Sequence, residues 1–226
     1  MILGYSAYEL LWLFFIYGFI GWCVEVAYCG VDQGYFSNRG FLNGPICPIY
    51  GVGAVIVILC LTPIQDNIWL LFVGSALLTS LLELVTGFAL DKIFHARWWD
   101  YTDKPFNIGG YICLKFSIYW GLVCIALMRG IHPAIYKLVQ DIPHIAGLII
   151  LIFISAVFAV DIVITVVAIN KLEKRIKLMD DIAEKIHNVS DEMGEHIYDG
   201  VTAVVKKGEE IYNSDNAREL REKYTE

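Results

Sequence analysis

Six ionisable side chains, Glu25, Arg39, Glu83, Arg97, Lys115 and Asp161, lie inside or at the edges of long apolar runs. Their order is patterned. Phe36-Ser-Asn-Arg39 places an arginine fourteen residues after Glu25, and Phe94-His-Ala-Arg97 places another fourteen residues after Glu83. A carboxylate in such surroundings can take up a proton, and a guanidinium can hold a phosphate or carboxylate in a bidentate fork. Two readings follow. Glu25–Arg39, Glu83–Arg97 and Lys115–Asp161 could be pairs that hold helices together, or the six could line one polar vestibule.

The segments around them favour the vestibule. GYFSNRGFLNGPICPIYG carries Asn38, Arg39 and Asn43 among four glycines, and ARWWDYTDKPFNIGGY carries Arg97, Trp98, Trp99, Asp100, Tyr101 and Asn107. Asn43 before Gly44-Pro45 reads as a helix cap, with proline suited to the first turn. A helix N-terminus favours an anion. Snorkelling at a membrane edge needs one long cation, not a carboxylate and several amides beside it. The candidate ligand-binding set is therefore Glu25, Asn38, Arg39, Asn43, Glu83, Arg97, Trp98, Trp99, Asp100, Tyr101 and Asn107, with Lys115 and Asp161 as intramembrane polar residues. The ligand it suggests is small and anionic or amphipathic. Lys115 gives Glu83 a cationic partner that Glu25 lacks, so Glu83 is expected to be structural and Glu25 the proton acceptor or ligand contact.

The elements that must position these residues are membrane helices. Of 226 residues 57% are hydrophobic and 18% charged, with a mean hydropathy of +0.58. Soluble domains carry about 25% charged residues. Residues 1–170 hold 7 of the 17 Lys+Arg and 10 of the 24 Asp+Glu, so the polar character sits in residues 171–226. That excludes a soluble enzyme, a secreted disulfide scaffold and a disordered chain, and a net charge of −7 argues against nucleic acid as a partner. A bilayer core needs about 20 apolar helical residues, and five runs qualify: 8–29, 45–63, 68–90, 108–128 and 145–169. The expected fold is all-α, a multi-pass bundle of five transmembrane helices (1–170) with a cytoplasmic amphipathic helical tail (171–226). Spans one to four read as two parallel two-helix repeats, each with Glu, Phe and Arg in order and a Cys (Cys47, Cys113) early in the next span. Lys and Arg concentrate at 30–44, 91–107 and the start of the tail, which places the N-terminus outside and the C-terminus in the cytoplasm.

All six cysteines fall in or beside apolar runs without a CxxC pair, so neither disulfides nor a metal site is expected. His95 and His132 read as isolated, solvent-facing loop residues. Leu172, Met179, Ile186 and Met193 recur every seven residues, beside Ile176, Ala183 and Ile197 on the adjacent row, interrupted by Ser190. That seam suits either a short coiled coil or a helix packed on its own protein.

Glu25, Asn38 to Gly51, Glu83-x-x-Thr86-Gly87, Arg97 to Tyr101 and Asn107-Ile-x-Gly-Tyr-Ile-Cys113 resemble the bacterial CmpB-type membrane proteins, described as type IV ABC-transporter permeases. The resemblance covers residues 8–130. It implies a multi-pass protein of the bacterial cell membrane and a transport role with no substrate attached. No GxxxxGK[ST] loop is present, so an ATPase subunit would be a separate chain and no cofactor is expected. Five spans are few for a transporter, and a homodimer would supply ten. Two other classes stay open: an enzyme acting on a lipid or lipid-linked substrate, and a non-catalytic scaffold acting through the tail.

Overall fold

A computed structural model describes residues 3–33, 41–95, 97–169 and 177–213. Asn38 and Arg39, and Leu172 and Ile176 of the tail seam, lie outside the described residues. The chain is mostly helical: α1 (Ala7–Gln33), α2 (Pro48–Leu61), α3 (Ile68–Phe94), α4 (Leu114–Ala126), α5 (His132–Asp141), α6 (His144–Ile169) and α7 (Lys177–Asn213). A two-stranded antiparallel hairpin, β1 (Asn107–Ile108) and β2 (Ile112–Cys113), precedes α4. In lipid a helix bonds its own backbone groups, which is why these apolar runs are helical. Among the described residues, four stretches are long and apolar enough to cross a membrane: Ala7–Val31, Ile68–Phe94, Leu114–Asp141 and His144–Ala168. Many of their large apolar side chains, such as Leu77, Phe153 and Ile152, face outward, as a lipid solvent permits.

Local chemistry sets the helix ends. Ser6 and Glu9 form a capping box at α1: the Ser6 amide donates to Glu9 Oε2 at 2.7 Å and the Glu9 amide to Ser6 Oγ at 3.2 Å. Asn67 Oδ1 accepts from the Trp69 and Leu70 amides and starts α3. His95, with φ of 52°, closes α3 in the left-handed conformation.

The expected span at 108–128 is displaced. Helix begins only at Leu114 and continues through one π turn, Leu127–Ile131, to Asp141. Pro133 cannot donate to the carbonyl four residues back, and the widened turn lies beside it. Arg129, expected in a loop, donates instead to the Gln65 and Asp66 carbonyls and ties this helix to the turn before α3.

The apolar run at 45–63 is also not one membrane-length helix. Pro48–Ile64 covers about 26 Å at 1.5 Å per residue, short of a core of about 30 Å. The missing length is a non-helical segment, 41–47, that enters the bundle. The Cys47 amide donates to the Gly18 carbonyl at 2.9 Å, and Gly18 lies about 22 Å along α1 from its last residue, Gln33. Irregular backbone at this depth survives because protein groups replace water. Asp161 of α6, 3% exposed, accepts from the Asn43 and Gly44 amides at 3.2 and 2.8 Å and from Asn43 Nδ2 at 2.9 Å. Asn43 is therefore not a helix cap. Cys47 occupies that position, with Pro48 following it. Close approach needs glycine at two points: a Cβ on Gly21 would lie 2.2 Å from the Tyr50 ring, and one on Gly51 would lie 2.5 Å from the Phe14 carbonyl.

Two hairpins result, α1 against α2 and α3 against α4, joined by α2–α3 contacts. One core cluster, with Leu13, Tyr17, Ile58, Leu71 and Met128, fills the half near the N-terminus of α1. A second joins Trp22, Val26 and Cys47, with Met193 and Ile197 of α7 packed against it.

Candidate functional site

Glu25 and Glu83 each sit more than a helical turn inside their helices, and each is met by an aromatic donor from the next helix of its hairpin. Tyr50 Oη donates to Glu25 Oε1. Trp120 Nε1 donates to Glu83 Oε1 at 3.0 Å. The two donors touch, ring centroids 5.6 Å apart and edge to face, so the hairpins join at this point. Tyr101 from the loop before α4 completes the group. Burial raises its phenol's pKa most, the Glu83 carboxylate adds to that, and Cys113 and Glu25 add less. Glu83 Oε2 is buried and has no hydrogen-bond partner among the described residues.

Glu83 is not paired with either basic residue expected for it. Arg97 lies 3.5 Å from Asp91 and 3.4 Å from Asp100, with its guanidinium 5.0 Å from the centroid of the Tyr111 ring. Lys115 is exposed and lies over Tyr119 at 5.6 Å, while Asp161 is occupied by Asn43, Gly44 and Thr165. The expected Glu83–Arg97, Glu83–Lys115 and Lys115–Asp161 pairs are all absent among the described residues. Helix geometry explains this: Arg97 follows the left-handed turn at His95 and is carried outward to the rim.

The rim residues are used in shaping the 95–113 loop. Asp100 accepts from the Thr102 amide at 2.9 Å and from the Thr102 hydroxyl. These bonds first, and Arg97 after them, hold the Asp100 pKa below the usual carboxylate value. Asn107 Nδ2 donates to the Thr102 and Lys104 carbonyls, and its Oδ1 accepts from the Gly110 amide. Trp99 Nε1 donates to the Tyr111 carbonyl at 2.9 Å. Trp98 packs on Phe94 and on Phe41, both at ring-centroid distances under 6 Å, so it bridges the two loops. Of the sequence candidates, Glu25, Glu83 and Tyr101 are brought together. Arg97, Trp99, Asp100 and Asn107 build the loop beside them, and Asn43 belongs to the Asp161 clamp.

Sequence reasoning missed Tyr50 and Trp120, which lie 25 and 37 residues from the acids they serve. It also misplaced His132, which is a buried helical residue, 6% exposed, and not a loop residue. Tyr5 Oη lies 2.9 Å from His132 Nε2 and Tyr17 Oη 3.1 Å from Nδ1. Beside it Tyr136 donates to Glu9 Oε1 at 2.8 Å. This second cluster lies at the opposite end of α1, since the 16 residues from Glu9 to Glu25 span about 24 Å.

No curated protein and no solved structure matches this chain. A family model described as "Putative ABC-transporter type IV" matches residues 12–166, from the first turns of α1 almost to the end of α6. With more than half of its length matched, including both hairpins and the acids between them, the chain belongs to that ABC-transporter type IV family.

Proposed function

We propose that this chain is the membrane subunit of an ABC-type transporter of the bacterial cell membrane, working with a separate ATPase chain, and that its ligand is held between the two hairpins at Glu25 and Glu83. The observation that carries this reading is the meeting of two carboxylates from different hairpins through Tyr50 and Trp120, with one buried oxygen that has no hydrogen-bond partner among the described residues. Buried polar oxygens are normally satisfied, and each exception asks for a reason. Here the reason is a partner that arrives and leaves.

The chemistry of that partner follows from the donors already present. Expecting an anionic ligand relied on Arg39 and Arg97, and Arg97 is committed to two aspartates. Two carboxylates facing aromatic rings suit a head group that donates hydrogen bonds or carries positive charge, which an aromatic face also attracts. The amphipathic part of the expectation stands, because the walls around the acids are apolar. On this reading the tail and both long loops face the cytoplasm, all five apolar segments lie in the bilayer, and the paired hairpins are two copies of one unit. Cys47 and Cys113 then occupy matching places, each the residue before the second helix of its hairpin.

Native mass spectrometry of the protein in native-lipid nanodiscs tests this reading. A small amine or amide-bearing amphiphile retained by the wild type should be lost from the Glu25→Gln, Glu83→Gln double variant. Equal retention by both would move the site elsewhere, to the Arg97 rim first.

A further inference from the structure

Two apolar side chains of the 95–113 loop, Phe106 and Ile108, are left outside the bundle, 80% and 59% exposed. Phe106 also has a φ of 55°, a conformation that bulky side chains rarely adopt. The backbone turn has a local purpose: the Phe106 carbonyl accepts from the amide of Leu114, the first residue of α4, at 3.3 Å. The outward position of the ring has no such purpose in water, where apolar surface of this size is better buried.

The depth of the loop says what it meets. It doubles back along α3 and does not project from it. Tyr111 Oη donates to Asp91 Oδ2 at 2.7 Å, and a Cβ on Gly87 would meet the Tyr111 and Trp99 rings at 3.1 and 3.2 Å. Gly87 lies seven residues, about 10 Å, before Phe94 at the end of α3. Phe106 is tied to the start of α4, and Ile108 pairs with Ile112 just ahead of that helix. Both side chains are therefore held beside the ends of two helices long and apolar enough to cross a membrane. Outward-facing Phe88, Ile93 and Leu114 continue the apolar surface on those helices. Charge completes it. Lys104 and Lys115 are exposed and form no ion pair among the described residues, while Arg97 is held by Asp91 and Asp100. Asp103, also exposed, offsets only part of that charge. A lysine stem can lie on apolar side chains with its ammonium at the water edge; Lys115 already lies over Tyr119 at 5.6 Å.

We propose that this edge of the loop is a docking surface for anionic phospholipid, in the leaflet where α3 ends and α4 begins. Phe106 and Ile108 enter the boundary between head groups and acyl chains, and Lys104 and Lys115 hold the lipid phosphate. Aromatic rings are favoured at that level, and lysines are attracted to an anionic leaflet. Asp100 and Asn107, through Thr102, Lys104 and Gly110, give the loop the shape that presents them. Glu25 and Glu83 play no part in it.

Quenching by brominated lipid tests this. Full-length protein with its native cysteines replaced carries a bimane fluorophore through an Ile108→Cys substitution, in phosphatidylcholine nanodiscs. Brominated phosphatidylglycerol is expected to reach half-maximal quenching at a mole fraction about tenfold below that of brominated phosphatidylcholine. Lys104→Gln, Lys115→Gln should remove the difference between the two lipids, and Lys104→Arg, Lys115→Arg should keep it. Phe106→Ser should weaken quenching by both lipids, because the anchor is lost and the charge is not. Absence of quenching by either lipid would overturn the proposal, since the edge then faces water or another protein. Equal quenching by the two lipids before the lysines are changed would overturn it, and so would a preference that survives their change to glutamine. Inorganic phosphate abolishing the preference, where chloride at the same ionic strength does not, would mark a site for a soluble anion and overturn the lipid assignment.

Discussion

Two polar clusters sit on α1 at opposite ends, and they differ in how completely they are bonded. At the end near the N-terminus both oxygens of Glu9 are used, by Ser6 and Tyr136, and both nitrogens of His132 face tyrosine hydroxyls. At the other end Tyr50 donates to Glu25 and Trp120 to Glu83, and among the described residues no hydrogen bond reaches Glu83 Oε2. A closed network makes a joint, because breaking any member strands its neighbours in a medium without water. An open one carries an unmet demand that a ligand, a water or a proton can meet. The first cluster fastens α5 to α1. The second joins two hairpins by ring contact and leaves one buried carboxylate oxygen unbonded among the described residues.

If that contrast is right, the largest loss of stability comes from the closed cluster. His132→Ala removes a buried ring and leaves the Tyr17 hydroxyl, on a residue 3% exposed, without its partner. Cavity and unmet bond together should cost about 3 kcal/mol. Thermal unfolding in detergent, followed by tryptophan emission, measures it, and a loss below about 1 kcal/mol would say that the cluster is not a joint. The second largest effect belongs to the Asp161 clamp. Asp161→Asn turns a charged acceptor of two backbone amides into a group that must turn one donor toward them, at about 2 kcal/mol. Because the 41–47 segment hangs from Asp161, maleimide labelling of the buried Cys47 thiol should rise in the same variant.

The open cluster should respond differently to its two halves. Trp120→Phe removes the indole donor to Glu83 Oε1, costing about 1 kcal/mol. Glu83→Gln keeps an acceptor for Trp120 and strands nothing that was bonded, so stability should change by less than about 0.5 kcal/mol while ligand retention falls. This reverses the division of labour that Lys115 suggested, in which Glu83 was the structural acid. If Glu83→Gln lowers the melting temperature as far as His132→Ala does, the two ends do not differ in kind.

How much of this was legible in the sequence depends on which property hydropathy reports. It reports burial in apolar surroundings, and α1, α3 and α6 are where burial and helix coincide. Ile46 and Cys47 are just as apolar but not helical, so the run at 45–63 read as a span although its first residues are the entrant segment. The gap between the apolar runs 108–128 and 145–169 read as a loop, and nothing in a charge count says that Arg129 is consumed by the Gln65 and Asp66 carbonyls. The acids were visible because a carboxylate inside an apolar run is expensive. Their donors were not, because Tyr50 and Trp120 are ordinary aromatic residues until the hairpins bring them to Glu25 and Glu83. The fourteen-residue spacing of each Glu and Arg suggested a pair. For Glu83 and Arg97 it measures instead the distance from a buried turn to the rim.

The smallest expected effect tests the rim, which the contrast assigns to shape and not to ligand binding. The Asp100 carboxyl is held below its ordinary pKa by Thr102 and then Arg97, so the folded loop binds the ionised form. A carboxyl whose pKa is lower folded than unfolded adds stability above its unfolded pKa, about 3.9, and loses that contribution as pH falls through the folded value. The 95–113 loop should therefore be fully set at neutral pH and loosen only below about pH 4. Asp100 is exposed, so bundle melting should hardly register the change. Emission from Trp98 and Trp99, compared between the wild type and Asp100→Asn, should register it. The wild type should show a shift on acidification that the variant lacks, while the two spectra differ modestly near pH 7. If ligand retention followed the same acid limb while Glu83→Gln left it untouched, the rim would be the binding surface. The acids between the hairpins would then be the scaffold.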